Sequence, residues 1–90
     1  MAQHKQWNAQ IFITEDDNDD LTTARVVLES DDGRRRESIG HARRNPIDRP
    51  VPQIGDELAA GRALSNLAAM LLQEGAEDVA QFAGSGRTPG

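Results

Sequence analysis

The hydrophobic period of this chain changes once. Through the first half, apolar residues recur at every second position; from Ile54 onward they recur every third or fourth. A stiff Arg- and Pro-rich connection separates the two regimes. Period two specifies strands and the longer period a helix, so the chain is constrained to a sheet followed by a helix.

"WNAQIFIT" puts Trp7, Ala9, Ile11 and Ile13 on one side, with Asn8, Gln10 and Thr14 on the other; Phe12 breaks the polar face. This predicts a half-buried first strand. After the turn cluster "EDDNDD", "LTTARVVLES" alternates again, with Thr22, Ala24, Val26 and Leu28 inward and Thr23, Arg25, Val27 and Glu29 outward. "DDG" then joins this run to a third, about Arg34 to Ala42, and Asp-Gly between alternating runs predicts a hairpin. The third run is polar, which suits an edge strand protected by charge.

Asn45-Pro46 predicts a turn, and Arg49 and Val51 each precede a Pro, which holds them extended. The helix is expected over Ile54 to Glu74, with Gly55 as N-cap, Asp56 and Glu57 at the positive end of its dipole, and Gly75 as its stop. Ala76 to Phe82 forms a second, short helix on this reading. Ala60, Ala63, Leu64, Leu67 and Leu71 form the stripe that covers the sheet. Leu58, Gly61, Ser65, Ala68 and Leu72 form an adjacent stripe of mostly small residues, which needs a second neighbour: a partner subunit, or the short helix folded back. The expected architecture is α+β, two-layer β-β-β-α, with one domain over residues 1–83 and a disordered tail over 84–90.

Size bears on assembly. A 90-residue chain buries only ~60–65% of the surface its unfolded form exposes, and aromatics make up just 3%. With no Cys, neither a disulfide nor a thiolate metal site can compensate. A homodimer is therefore expected. No 18-residue apolar run and no apolar signal-peptide core occur, so a cytoplasmic location without membrane contact is expected.

The net charge of −5 argues against a general nucleic-acid binder, yet it conceals a segregation. Glu15 to Asp32 holds eight acids and one Arg; Arg34 to Arg49 holds six Arg and two acids. Arg34, Arg35, Arg36, Arg43, Arg44 and Arg49 fall on the edge strand and the connection after it. Arginine forks suit phosphate, so such an edge is a candidate contact for RNA or a ribosome. The alternative reading makes the same residues structural, with Arg43 pairing to Asp48, Asp56 or Glu57, and Asn45 and Asp48 as turn residues.

Catalytic and metal chemistry find little support. Asp16, Asn18 and Asp20 match the first ligands of a calcium loop, but Leu21 stands where Gly is needed and Val27 where a bidentate Glu is needed. His4 and His41 lack spaced carboxylate partners, and no nucleophile and base stand together. The chain is expected to be non-enzymatic, with no cofactor and no metal.

The run "GHARRNPIDRPVPQIGDELAAGRALSNL", residues 40 to 67, resembles a family of small actinobacterial proteins associated with dormancy and stress. Gly40, Ala42, Arg43, Asn45, Pro46, Asp48, Val51, Ile54, Gly55, Asp56, Glu57, Leu58, Arg62, Ala63, Leu64, Ser65 and Leu67 match its pattern. The resemblance implies a fold like that of double-stranded-RNA-binding domains, usually dimeric, and a likeness in shape to hibernation-promoting factors, which bind ribosomes. Two features depart from that picture. Asp56 and Glu57 occupy the helix start where such domains carry cations, which argues against that familiar grip on duplex RNA. The third strand is also more basic than the family's usual one. Two functional readings follow: a ribosome- or RNA-binding protein acting through its Arg edge, and a protein-interaction module using the second helix stripe or the acidic hairpin.

Overall fold

The computed structural model describes residues 2–45 and 51–86, with side chains as far as Phe82. Three strands, β1 (Asn8–Asp16), β2 (Leu21–Glu29) and β3 (Arg35–Arg43), precede one helix, α1 (Pro52–Gly86). The sheet is antiparallel in the order β1-β2-β3. Pairing is unbroken from Asn8↔Glu29 to Asp16↔Leu21, and from Leu21↔Arg43 to Glu29↔Arg35. The architecture is the expected α+β sheet and helix.

The β2–β3 turn follows the Asp-Gly signal. Gly33 takes a positive φ of 85°, its N–H bonds the Ser30 carbonyl at 3.0 Å, and Asp32 accepts hydrogen bonds from the Ser30 hydroxyl and the Arg34 N–H. Those donors hold the Asp32 carboxyl below its ordinary pKa. The β1–β2 turn is tied differently. Asp20 adopts φ 51°, a left-handed geometry that Asp tolerates better than most residues, and Arg44 clamps it from β3's end. The Arg44 N–H reaches the Asp20 carbonyl at 2.9 Å, and its guanidinium reaches Oδ1 at 2.6 Å.

Where α1 sits follows from one residue without a side chain. A Cβ on Gly40 would lie 2.3 Å from the Ala63 nitrogen and 2.4 Å from the Ala59 carbonyl oxygen. The helix backbone therefore rests directly on β3. Ala24, Val26 and Leu28 of β2, Ala42 of β3, and Ala59, Ala63 and Leu67 of α1 form the core. The Ser38 hydroxyl donates to the Ala63 carbonyl at 2.7 Å beneath that contact. Arg62 and Asn66, one helical turn apart, donate to the carbonyls of His41 and Ile39 at 2.7 and 2.8 Å. Both carbonyls belong to β3, so α1 also closes over the edge strand.

Several expectations are corrected. The first strand is not half-buried: all nine residues of β1 are exposed, because α1 lies over β2 and β3 and scarcely reaches β1. Accordingly the covering stripe is centred on Ala59, Ala63 and Leu67, with Ala60 and Leu71 partly buried and Leu64 exposed. Gly55 is not the N-cap. The helix begins at Pro52, which fits a first helical position because its ring fixes φ and its missing N–H is not required there. Gly55 lies within the helix against Thr22, and Asp56 and Glu57 stand a turn further in. Gly75 does not stop the helix, since it lacks the positive φ of a C-cap, and residues 76–82 continue α1 rather than form a second helix. α1 also takes in residues 84–86; the rest of the expected tail, 87–90, lies outside the described residues.

A 35-residue helix spans about 52 Å, whereas nine-residue strands span about 30 Å. α1 therefore overhangs the sheet. Glu74 is its last described residue that is not fully exposed, and residues 75–82 all face solvent. The radius of gyration is 18.5 Å, against about 12 Å for a compact chain of this length.

Candidate functional site

Strand alternation splits the arginine run. Arg36 shares the helix-facing side of β3 with Ser38, Gly40 and Ala42, whereas Arg35 shares the outer side with Glu37, Ile39 and His41. Arg36 is the most committed of the group. Its side chain is 11% exposed, its Nε donates to Glu74 at 2.6 Å, and its guanidinium lies 5.9 Å from the Trp7 ring centre. The indole N–H of Trp7 in turn donates to Asp31 at 2.9 Å. Arg44 is tied to Asp20, and Arg43 reaches the Asp19 carbonyl at 3.3 Å rather than an acid at the helix start. Arg34 is exposed in the turn. Arg49, with Pro46 and Asp48, lies outside the described residues.

The outer face of the sheet carries cations and acids in equal number. Arg25, Arg35 and Arg43 stand there with Glu29, Glu37 and Asp16. Arg25 lies 4.7 Å over the Phe12 ring and 3.4 Å from Glu37, which also takes Arg35 at 3.5 Å. Val27, which also points outward on this face, is only 4% exposed. The face is a balanced polar lattice with Phe12 and Ile39 emerging through it.

On the helix side, a cleft of about 600 Å³ opens where the β1–β2 turn meets the start of α1. Glu15, Thr22, Ala42, Arg44, Gly55 and Leu58 are among its walls. Glu15, in its wall, lies close to Asp56. A hydrogen bond with the Asp56 carboxyl, and repulsion between the two negative charges, raise the Glu15 pKa above its ordinary value. The folded protein thus holds that proton more tightly than the unfolded chain. Its stabilising effect is present below the ordinary glutamate pKa and is lost as pH rises through the raised value. Glu15→Gln is expected to raise the melting temperature near pH 7 and to change it little near pH 4. Thermal melts of both proteins across that range check it; a gain that does not grow with pH would contradict the shared proton.

Among the described residues no group of three or more His, Asp or Glu is arranged to hold a metal ion, and no helix is long and apolar enough to cross a membrane. Of the second stripe, Gly61, Ser65, Ala68 and Leu72 lie on the side of α1 turned away from the sheet, while Leu58 also lines the cleft; all five residues are exposed. Ile54 and Val79 extend it at either end; they are 55% and 69% exposed, against 75% for Leu72. Sequence reading missed the continuation to Val79 because it ended the helix at Gly75. It also missed Arg62 and Asn66, whose i, i+4 spacing beside the buried stripe was the available signal.

A small antiparallel sheet braced by one overhanging helix, with Arg25, Arg35, Arg36 and Arg44 paired to acids and an apolar stripe open to solvent, defines this α+β protein. Residues 5–87 match the family described as Rv2632c-like, and the chain belongs to that family. It is 41% identical over 78 residues to the uncharacterised protein Rv2632c of Mycobacterium tuberculosis, covering 87% of this chain and 83% of the relative. It is 40% identical over 77 residues to the uncharacterised protein Mb1767 of Mycobacterium bovis, covering 83% of this chain and 77% of the relative. The crystal structure of Rv2632c matches with a TM-score of 0.72 at 38% identity, over 99% of this chain and 96% of that one.

Proposed function

We propose that this chain is a non-enzymatic interaction module, and that the outer stripe of α1 receives a partner protein. One observation carries the reading: Leu72, beside the last contact of α1 with the sheet, and Val79, on the overhang, are 75% and 69% exposed. Ile54 and Leu58 continue the stripe back over the sheet, with Gly61, Ser65 and Ala68 between them. Large apolar residues flanking small ones make a shallow groove into which another helix can pack closely.

A second reading is contact with a ribosome or structured RNA, in the stress or dormancy setting that the sequence resemblance implies. The exposure of Arg34, Arg35 and Arg43 favours it, but the acids beside Arg35 and the clamping of Arg36 and Arg44 place it second.

One experiment separates the two. The tagged protein is used to capture partners from an actinobacterial lysate, with and without nuclease, over a salt series. The expected partner survives nuclease and is lost with Leu72→Glu, whose surface position leaves the fold intact. Ribosomal capture that weakens with a log–log salt slope of about −0.7 to −0.9 per phosphate, and is abolished by Arg34→Ala/Arg35→Ala/Arg43→Ala, would reverse the order of the two readings.

A further inference from the structure

We propose that β1 is a self-association edge: two copies of this chain pair their β1 strands antiparallel about a twofold axis near Phe12, making one six-stranded sheet. This surface is separate from the outer stripe of α1, and the inference does not rest on the reading given above.

The two edges of the sheet are treated differently. At β3, Arg62 and Asn66 occupy the His41 and Ile39 carbonyls, so the edge is already in use. At β1 the strand runs nine residues with residue-for-residue pairing to β2, no bulge, no Pro and no Lys. Those are among the devices by which proteins blunt an open edge; the charges that β1 does carry, Glu15 and Asp16, stand only at its far end. Instead, Ile11, Phe12 and Ile13 are 43%, 45% and 42% exposed at its centre, with Trp7 at 48% just before it. Ile11 and Ile13 emerge on the helix side and Phe12 on the other, so a second strand here would gain contacts on both faces.

Charge selects the occupant and its direction. The approach to β1 carries His4 and Lys5, while its far end runs into Glu15, Asp16, Asp17, Asp19 and Asp20. A parallel copy would set the acidic ends side by side. An antiparallel copy centred on Phe12 sets Ile11 against Ile13, Asn8 against Asp16, and Lys5 near Asp19, each pairing occurring twice. An isologous contact of this kind closes as a dimer. A β1-to-β3 contact would not close, and Arg62 and Asn66 obstruct it.

The test uses the full chain and its lack of cysteine. Sedimentation velocity at micromolar concentration is expected to give a species of about 20 kDa, twice the 9.8 kDa chain. Ile13→Lys, at an exposed position, is expected to weaken it at least about tenfold while leaving the circular dichroism unchanged. Phe12→Cys places two thiols beside the axis, within the ~4.5–5.5 Å Cα separation of facing antiparallel residues, and is expected to form a disulfide-linked dimer on mild oxidation. Leu72→Cys, on the far side of α1, is expected not to. A species of about 10 kDa throughout would overturn the proposal, as would a dimer that cross-links through Cys at position 72 and not at position 12.

Discussion

Replacing Gly40 with alanine is expected to cost about 3 kcal/mol, the upper end of what overpacking costs and a large fraction of the stability of a domain this size. The added Cβ would meet backbone atoms, the Ala63 nitrogen at 2.3 Å and the Ala59 carbonyl oxygen at 2.4 Å, and backbone cannot rotate aside as a side chain can. α1 would have to lift from β3. That would open the Ser38–Ala63 hydrogen bond and the Arg62 and Asn66 contacts together. Gly61→Ala is the control. A Cβ there meets nothing, and the helix interior favours alanine, so a gain of about 0.5–1 kcal/mol is expected. Urea unfolding of the two variants checks both signs. A Gly40→Ala protein as stable as the parent would mean that α1 does not sit directly on β3.

The second large effect lies with Arg36 and Glu74. Arg36 is nearly buried, and its Nη1 has no hydrogen-bond partner among the described residues, so the pair with Glu74 offsets the cost of keeping a guanidinium out of water. Glu74→Ala removes the compensation and leaves the cation. With Glu74 33% exposed, and the loss discounted for solvent access on that side, about 2 kcal/mol is expected. Removing both charges, as Arg36→Met/Glu74→Leu, is expected to fall within about 1 kcal/mol of the parent. Chemical denaturation of the full double-mutant cycle measures the coupling directly. Additive, small effects would make the pair a surface contact, and Arg36 would then return to the group available for phosphate.

The order and pairing of the strands were legible because their signals are local. Alternation places Ala24, Val26 and Leu28 inward without reference to anything distant, and Asp-Gly prescribes the turn at Gly33. The seat of the helix was not legible, since it depends on how closely two backbones approach at Gly40, and a lone glycine in a strand does not announce which neighbour needs the space. Once α1 is drawn over β3, a single helix no longer spans three strands, and β1 is left uncovered. Gly75 misled for the converse reason. Glycine permits a helix stop but does not impose one, and the flanking Glu74, Ala76 and Glu77 favour continuation. The arginines read as one row because they are neighbours in sequence. Their phase with Ser38, Gly40 and Ala42 already sorted Arg36 to the inside; its partner, 38 positions away, was beyond reach of any local rule.

The overhang of α1 gives this chain two stabilities in place of one. From Pro52 to Glu74 the helix shares the cooperativity of the sheet and opens only when the core opens. Past Glu74 it is held chiefly by its own backbone hydrogen bonds, and a helical stretch this short is marginal in water. Its amides will therefore exchange from the free end inward at a small fraction of the global unfolding free energy. The terminal turns act as a local thermometer, ordered in proportion to whatever packs against them, so that binding there would be recorded first as protection and only afterwards as shape.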